Sequence, residues 1–127
     1  MPEKYLYEYA IIRFLPRVER EEFMNIGVIL FSKRARFIKT IYQLNEEKLQ
    51  CFSSELDIDS LRESLNAFDK ICSGEEEGGL IATLELPDRF RWLTAIRSTS
   101  LQTSRARTGF TFDPQKTLER LFEEFVL

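Results

Sequence analysis

Apolar side chains fill both registers of a two-residue repeat between Tyr5 and Leu15. Tyr5, Tyr7, Tyr9, Ile11 and Leu15 fall on one side of a pleat, and Leu6, Ala10, Ile12 and Phe14 on the other. That pattern predicts a strand buried on both faces for much of its length. Phe23 to Phe31 is a nearly continuous apolar run, and Lys33-Arg34-Ala35 separates it from Arg36 to Tyr42 by a length suited to a hairpin. Three antiparallel strands follow. Gly27 interrupts the second and has two readings: a bulge that curves the sheet, or a backbone left bare so that a ligand reaches it beside Asn25. Pro16 and the alternating charges of Arg17 to Glu22 make the first connection a solvated one.

Beyond Tyr42 the hydrophobic period lengthens to that of a helix, about 3.6 residues. Asn45 suits the N-cap of a short helix with Glu46 and Glu47 in its first turn and Leu49 and Phe52 facing inward. A second helix is predicted from near Asp59, with Ser60 and Glu63 at capping-box spacing and Leu61, Leu65, Phe68 and Cys72 in one apolar stripe. Glu75 to Gly79 reads as a mobile tip and Leu80 to Leu86 as a fourth strand. Pro87-Asp88 then starts a helix running to Ile96, with Phe90, Leu93, Trp92 and Ile96 as candidates for burial. In the last helix Asp113 is the cap, Pro114 the first helical residue, and Leu118, Leu121, Phe122, Phe125 and Val126 the apolar face. The predicted class is α+β: a mainly antiparallel sheet of three or more strands, with helices from residues 45–73, 87–96 and 114–126 packed against it.

Composition narrows this picture. A chain of 127 residues is expected to be a single domain, 1–127, that buries a core without staples. Cys51 and Cys72 have no CxxC spacing and there is no histidine, so both are expected to be reduced and at least partly buried, as in a cytoplasmic protein. No signal-peptide pattern follows Met1, and no apolar run is long enough to span a bilayer. No cofactor and no metal site is expected; Glu75, Glu76 and Glu77 cannot converge on an ion without other ligands.

Charge supplies the candidate chemistry. The net −3 hides a segmented chain: residues 1–45 carry +3, residues 46–88 carry −9, residues 89–112 carry +5 with no acid, and residues 113–127 carry −2. From Arg97 to Thr111 the periodicity stops and a long polar loop is predicted. Arg97, Arg105 and Arg107 are expected to form an anion-accepting surface with Ser98, Thr99 and Thr108 as neutral donors, because the guanidinium fork matches phosphate and carboxylate. The same arginines equally suit pairing with the acids of residues 46–88. Two functions compete. One is a non-catalytic binding or adaptor module with a protein or phosphate-bearing partner, nucleic acid being subordinate given the net acidity. The other is an enzyme acting on a phosphate ester or nucleotide, with the arginines as clamp and Glu8 or Asp113 as carboxylate. Glu8 and Arg13 are five apart on a strand and so on opposite faces, and Asp113 is already accounted for as a cap. An obligate partner subunit docked on an exposed sheet edge is a third possibility.

Three blocks, Tyr7 to Arg13, Glu22 to Phe31 and Arg89 to Thr99, together with Thr108-Gly109 and Leu118 to Phe122, resemble an uncharacterised bacterial family, domain of unknown function 3037. The resemblance implies a small cytosolic bacterial domain and no known activity. The family pattern implies a histidine just before the Thr-Gly pair; Arg107 stands there instead, so chemistry resting on that histidine would be closed to this chain. The genome setting of similar proteins, beside HipA-like kinases, implies a protein partner.

Overall fold

The computed structural model describes residues 3–16, 22–52, 57–95 and 100–127. Strands β1 (Tyr5–Phe14), β2 (Met24–Ser32) and β3 (Phe37–Tyr42) form the antiparallel centre of a five-stranded sheet in the order β3-β2-β1. They form where the two-residue repeat predicts them. The turn between β2 and β3 spans residues 33–36, and Arg36 adopts φ 52° there, a left-handed conformation uncommon for a non-glycine residue. Pairing of β1 with β2 shifts by one residue between Ile12–Gly27 and Arg13–Asn25, so Ile26 is the extra residue of a bulge.

Gly27 owes its identity to the neighbouring strand. A Cβ there would lie 2.7 Å from the Ile41 carbonyl oxygen and 2.8 Å from the Tyr42 Cβ. The bare backbone is therefore covered by β3, and the space needed for the ligand reading is filled. The bulge reading holds beside it.

Four helices pack on the sheet: α1 (Glu46–Phe52), α2 (Ile58–Ser73), α3 (Leu86–Leu93) and α4 (Pro114–Phe125). The caps are side-chain oxygens on exposed amides: Asn45 Oδ1 accepts from Lys48 N at 3.1 Å and Asp113 Oδ1 from Lys116 N at 3.2 Å. For α2 the cap is Asp57, not Ser60; its carboxylate accepts from both the amide and the hydroxyl of Ser60. A charged acceptor satisfies two donors at once, so the helix starts earlier than the Ser60–Glu63 spacing predicts. Gly74, at φ 74°, ends α2 in the left-handed conformation, and Arg89 donates from Nη1 to the carbonyl of Cys72 in its last turn at 3.2 Å.

The predicted fourth strand at Leu80 to Leu86 is absent. Residues 76–78 and 81–83 are single 3-10 turns, the first of them where a mobile tip is predicted, and Leu86 already belongs to α3. Amides of Ala82, Thr83 and Leu84 bond back three residues, to carbonyls of Gly79, Leu80 and Ile81. Seven residues of alternation between a Gly-Gly pair and a proline fit short turns as well as a strand, and here only Ala82 is buried while Leu80 is exposed.

The sheet divides two cores. On one face Ala10, Ile12 and Phe14 pack with Leu61, Leu65, Phe68 and Phe90 under α2 and α3. On the other, Tyr7, Ile11, Val28 and Leu30 pack with Leu118 and Leu121 of α4. Phe122 and Phe125 are only partly buried, so the deepest contacts of α4 are the two leucines. On α3 the pair Phe90 and Leu93 is buried, whereas Trp92 stays 37 % exposed on a groove and Ile96 lies outside the described residues.

Cys72 is buried and Cys51 exposed, which corrects the expectation that both are covered: α1 turns Leu49 inward and leaves its opposite side to solvent. Burial pushes the Cys72 thiol up to about 11. A thiol reagent at neutral pH is expected to label Cys51 in the folded protein and Cys72 only after denaturation. Equal labelling of both in the folded protein would contradict this packing.

Candidate functional site

The segment predicted as a polar loop carries two strands. β4 (Leu101–Thr103) and β5 (Arg107–Thr111) both run antiparallel to β1 along the side that β2 does not occupy. They are two parts of one interrupted edge. Ile12 pairs with Thr103 but Tyr9 with Arg107, so the edge carries one residue more than β1 between these points. Ser104 seals the irregularity: its amide donates to the Ile11 carbonyl at 2.8 Å, and its hydroxyl accepts from the Ile11 amide at 2.8 Å. Hydroxyls replacing backbone partners explain why so polar a stretch still belongs to the sheet.

This register decides where the arginines go. Arg107 lies opposite Tyr9, and residues directly opposite share a face, so Arg107 stands on the α4 side of the sheet. Arg13, four residues along β1 from Tyr9, is on that same side, and Arg105 is exposed on the bulge between them. Burial, with Arg107 nearby as the second cause, pulls the Arg13 guanidinium below its ordinary value. Its Nε is buried with no hydrogen-bond partner, and its guanidinium carbon lies 4.1 Å from the centroid of the Phe23 ring. Among the described residues no carboxylate comes within ion-pair distance of Arg13, Arg105 or Arg107. The described ion pairs belong to Arg34 with Glu3, Arg62 with Glu46 and Asp59, and Arg120 with Glu124. Arg62 thus holds two acids of the 46–88 segment from within that segment, and among the described residues Arg105 and Arg107 pair with none of its acids.

Of the sequence-predicted residues, Arg107 lies near Arg13, and Arg105 is exposed two positions before Arg107 on the bulge. Thr108 does not share their face: it pairs with Glu8 and points to the side of α2 and α3. Arg97, Ser98 and Thr99 lie outside the described residues. Arg89 is engaged at the end of α2, and Arg91 borders a cleft of about 310 Å³ on the Glu8 side with Lys33, Arg34 and Pro87. The four described arginines of residues 89–112 are therefore not one cluster. Glu8 is across the sheet from Arg13 and Arg107, and Asp113 is spent on the Lys116 amide, so neither carboxylate of the enzymatic reading stands with the arginines.

Arg13 is the residue that sequence reasoning missed. The signal was present, because a lone arginine in an apolar strand at the same parity as Tyr9 and Ile11 marks where helix cover ends. The cover does end there: Phe125 in the last turn of α4 stacks on Tyr9 at 6.3 Å, and its carbonyl accepts from Asn25 Nδ2 at 3.1 Å. Arg13, past Ile11 on β1, and Arg107, beside Tyr9 on the edge strand, are cations of this sheet face. Among the described residues no group of His, Cys, Asp and Glu could hold a metal ion, and no helix is long and apolar enough to cross a membrane. Comparison with curated proteins and with solved structures gave no significant match. A family model described as protein of unknown function (DUF3037) matches residues 9–126, nearly the whole chain, and the protein belongs to that family.

Proposed function

We propose that this protein is a non-catalytic binding module that accepts an anionic group of a partner on the cationic end of its sheet, at Arg13, Arg105 and Arg107. What carries the reading is that, among the described residues, no acid pairs with any of three guanidiniums, and that Arg107 lies near enough to Arg13 to help lower it. Clustered like charges cost folding free energy, and an external anion would remove that cost while using forks that fit phosphate and carboxylate. Phe23 and Tyr9 beside the arginines add flat apolar surface. A protein partner fits this arrangement, and the resemblance to companions of HipA-like kinases names one class to try.

Pyrophosphate and a glutamate-rich peptide are the probes. Both are expected to bind, with affinity falling as salt rises, because exposed charges are screened over about 8 Å at physiological ionic strength. Binding of neither probe at low salt would count against the reading.

A further inference from the structure

The bulged edge leaves a second feature unexplained. β5 pairs only with β1 among the described elements, so no described residue pairs with its outer backbone. Next to that backbone, on the face away from Arg107, Leu6 and Phe110 form a cross-strand pair 50 % and 64 % exposed, and Phe112 just beyond β5 is 58 % exposed. Lys4 Nζ lies 5.9 and 5.7 Å from the centroids of the two phenylalanine rings, so one ammonium reaches both. Arginines and a bulge are ordinary protection of an edge against self-pairing. Two exposed phenylalanines do the opposite, and protection does not account for them.

We infer that β5 receives an extended acidic segment of a partner polypeptide as an added strand, with acidic side chains turned to Arg105 and Arg107 and apolar ones to Phe110 and Phe112. The inference rests on the anion-accepting reading and names the class of anion. Strand addition uses the free backbone for affinity and alternate side chains for specificity. β5 itself sets the alternation, since Arg107 and Phe110 are of opposite parity and face opposite sides of the sheet. Charge chooses between occupants: β5 and the bulge before it, residues 104–112, carry Arg105 and Arg107 and no acid, so a second copy of the same edge would bring like charges together, whereas an acidic strand would not.

The test uses four labelled ten-residue peptides on the full chain: alternating Glu and Val, alternating Glu and Ser, and the Glu-Val peptide N-methylated at alternate residues in each of the two registers. The Glu-Val peptide is expected to bind about tenfold or more tighter than Glu-Ser, and methylation in one register to abolish that gain. Phe110→Ser, at an exposed position, is expected to remove the preference for valine while leaving pyrophosphate binding as in the wild type. Equal affinity for Glu-Val and Glu-Ser, or indifference to both methylation registers, would overturn strand addition and leave the anion surface standing. A concentration-dependent dimer that Phe110→Ser dissolves would overturn it in favour of a second copy. Pyrophosphate and Glu-Ser failing to bind would remove the reading beneath it.

Discussion

Replacing Phe90 with alanine is expected to cost about 3–5 kcal/mol of unfolding free energy, the range for a buried aromatic lost to transfer and cavity terms. Phe90 is 1 % exposed and its ring stacks on Phe31 with centroids 5.3 Å apart. The site cannot easily collapse, because β2 lies beneath it and α2 beside it, so the cavity term stays large. Two residues along the same helix, Trp92→Ala is expected to cost much less, since Trp92 keeps 37 % of its surface in solvent. Urea denaturation with unchanged m-values would compare the two. A Trp92 variant as unstable as the Phe90 variant would show that α3 is docked by its other side.

The second large effect is on binding. Charge-assisted hydrogen bonds contribute about 1.5–3 kcal/mol each, so the Arg105→Ala/Arg107→Ala variant is expected to bind its anion at least about a hundredfold more weakly. Arg105→Lys/Arg107→Lys should fall between that variant and wild type, because lysine keeps the charge and loses the planar fork. Stability should stay within about 0.5 kcal/mol of wild type for either variant, as both side chains are exposed and neither is in a described ion pair. A variant that folds less stably yet binds as wild type does would make these arginines internal structural residues.

The contrast between well-read and misread segments has physical causes. β1 to β3 were legible because burial on one or both faces enforces the two-residue repeat, and α4 because Asp113, Pro114 and Leu118 mark its cap, start and face independently. Leu80 to Leu86 misled because Leu80 carries the alternation but not the burial. The edge at Leu101–Thr111 was hidden for a different reason: residues 105–108 and Phe110 are exposed, so little hydrophobic pattern is required, and Ser104 hides one residue of irregularity inside a hydroxyl bond. Charge segmentation pointed to Arg105 and Arg107 without knowledge of that edge. Arg13 became visible only through register, since 94 positions separate it from Arg107 along the chain and the β1 ladder alone brings them near.

The most direct test follows the arginine Nε–Hε signals by nitrogen-15 NMR while pyrophosphate or the Glu-Ser peptide is added. Arg13, Arg105 and Arg107 are expected to shift together and saturate at one ligand concentration, with Arg34, Arg62 and Arg120 held in their ion pairs and unmoved. Uniform small shifts across all six arginines, or saturation only at the ion-paired ones, would contradict a shared anion-accepting surface at the end of the sheet.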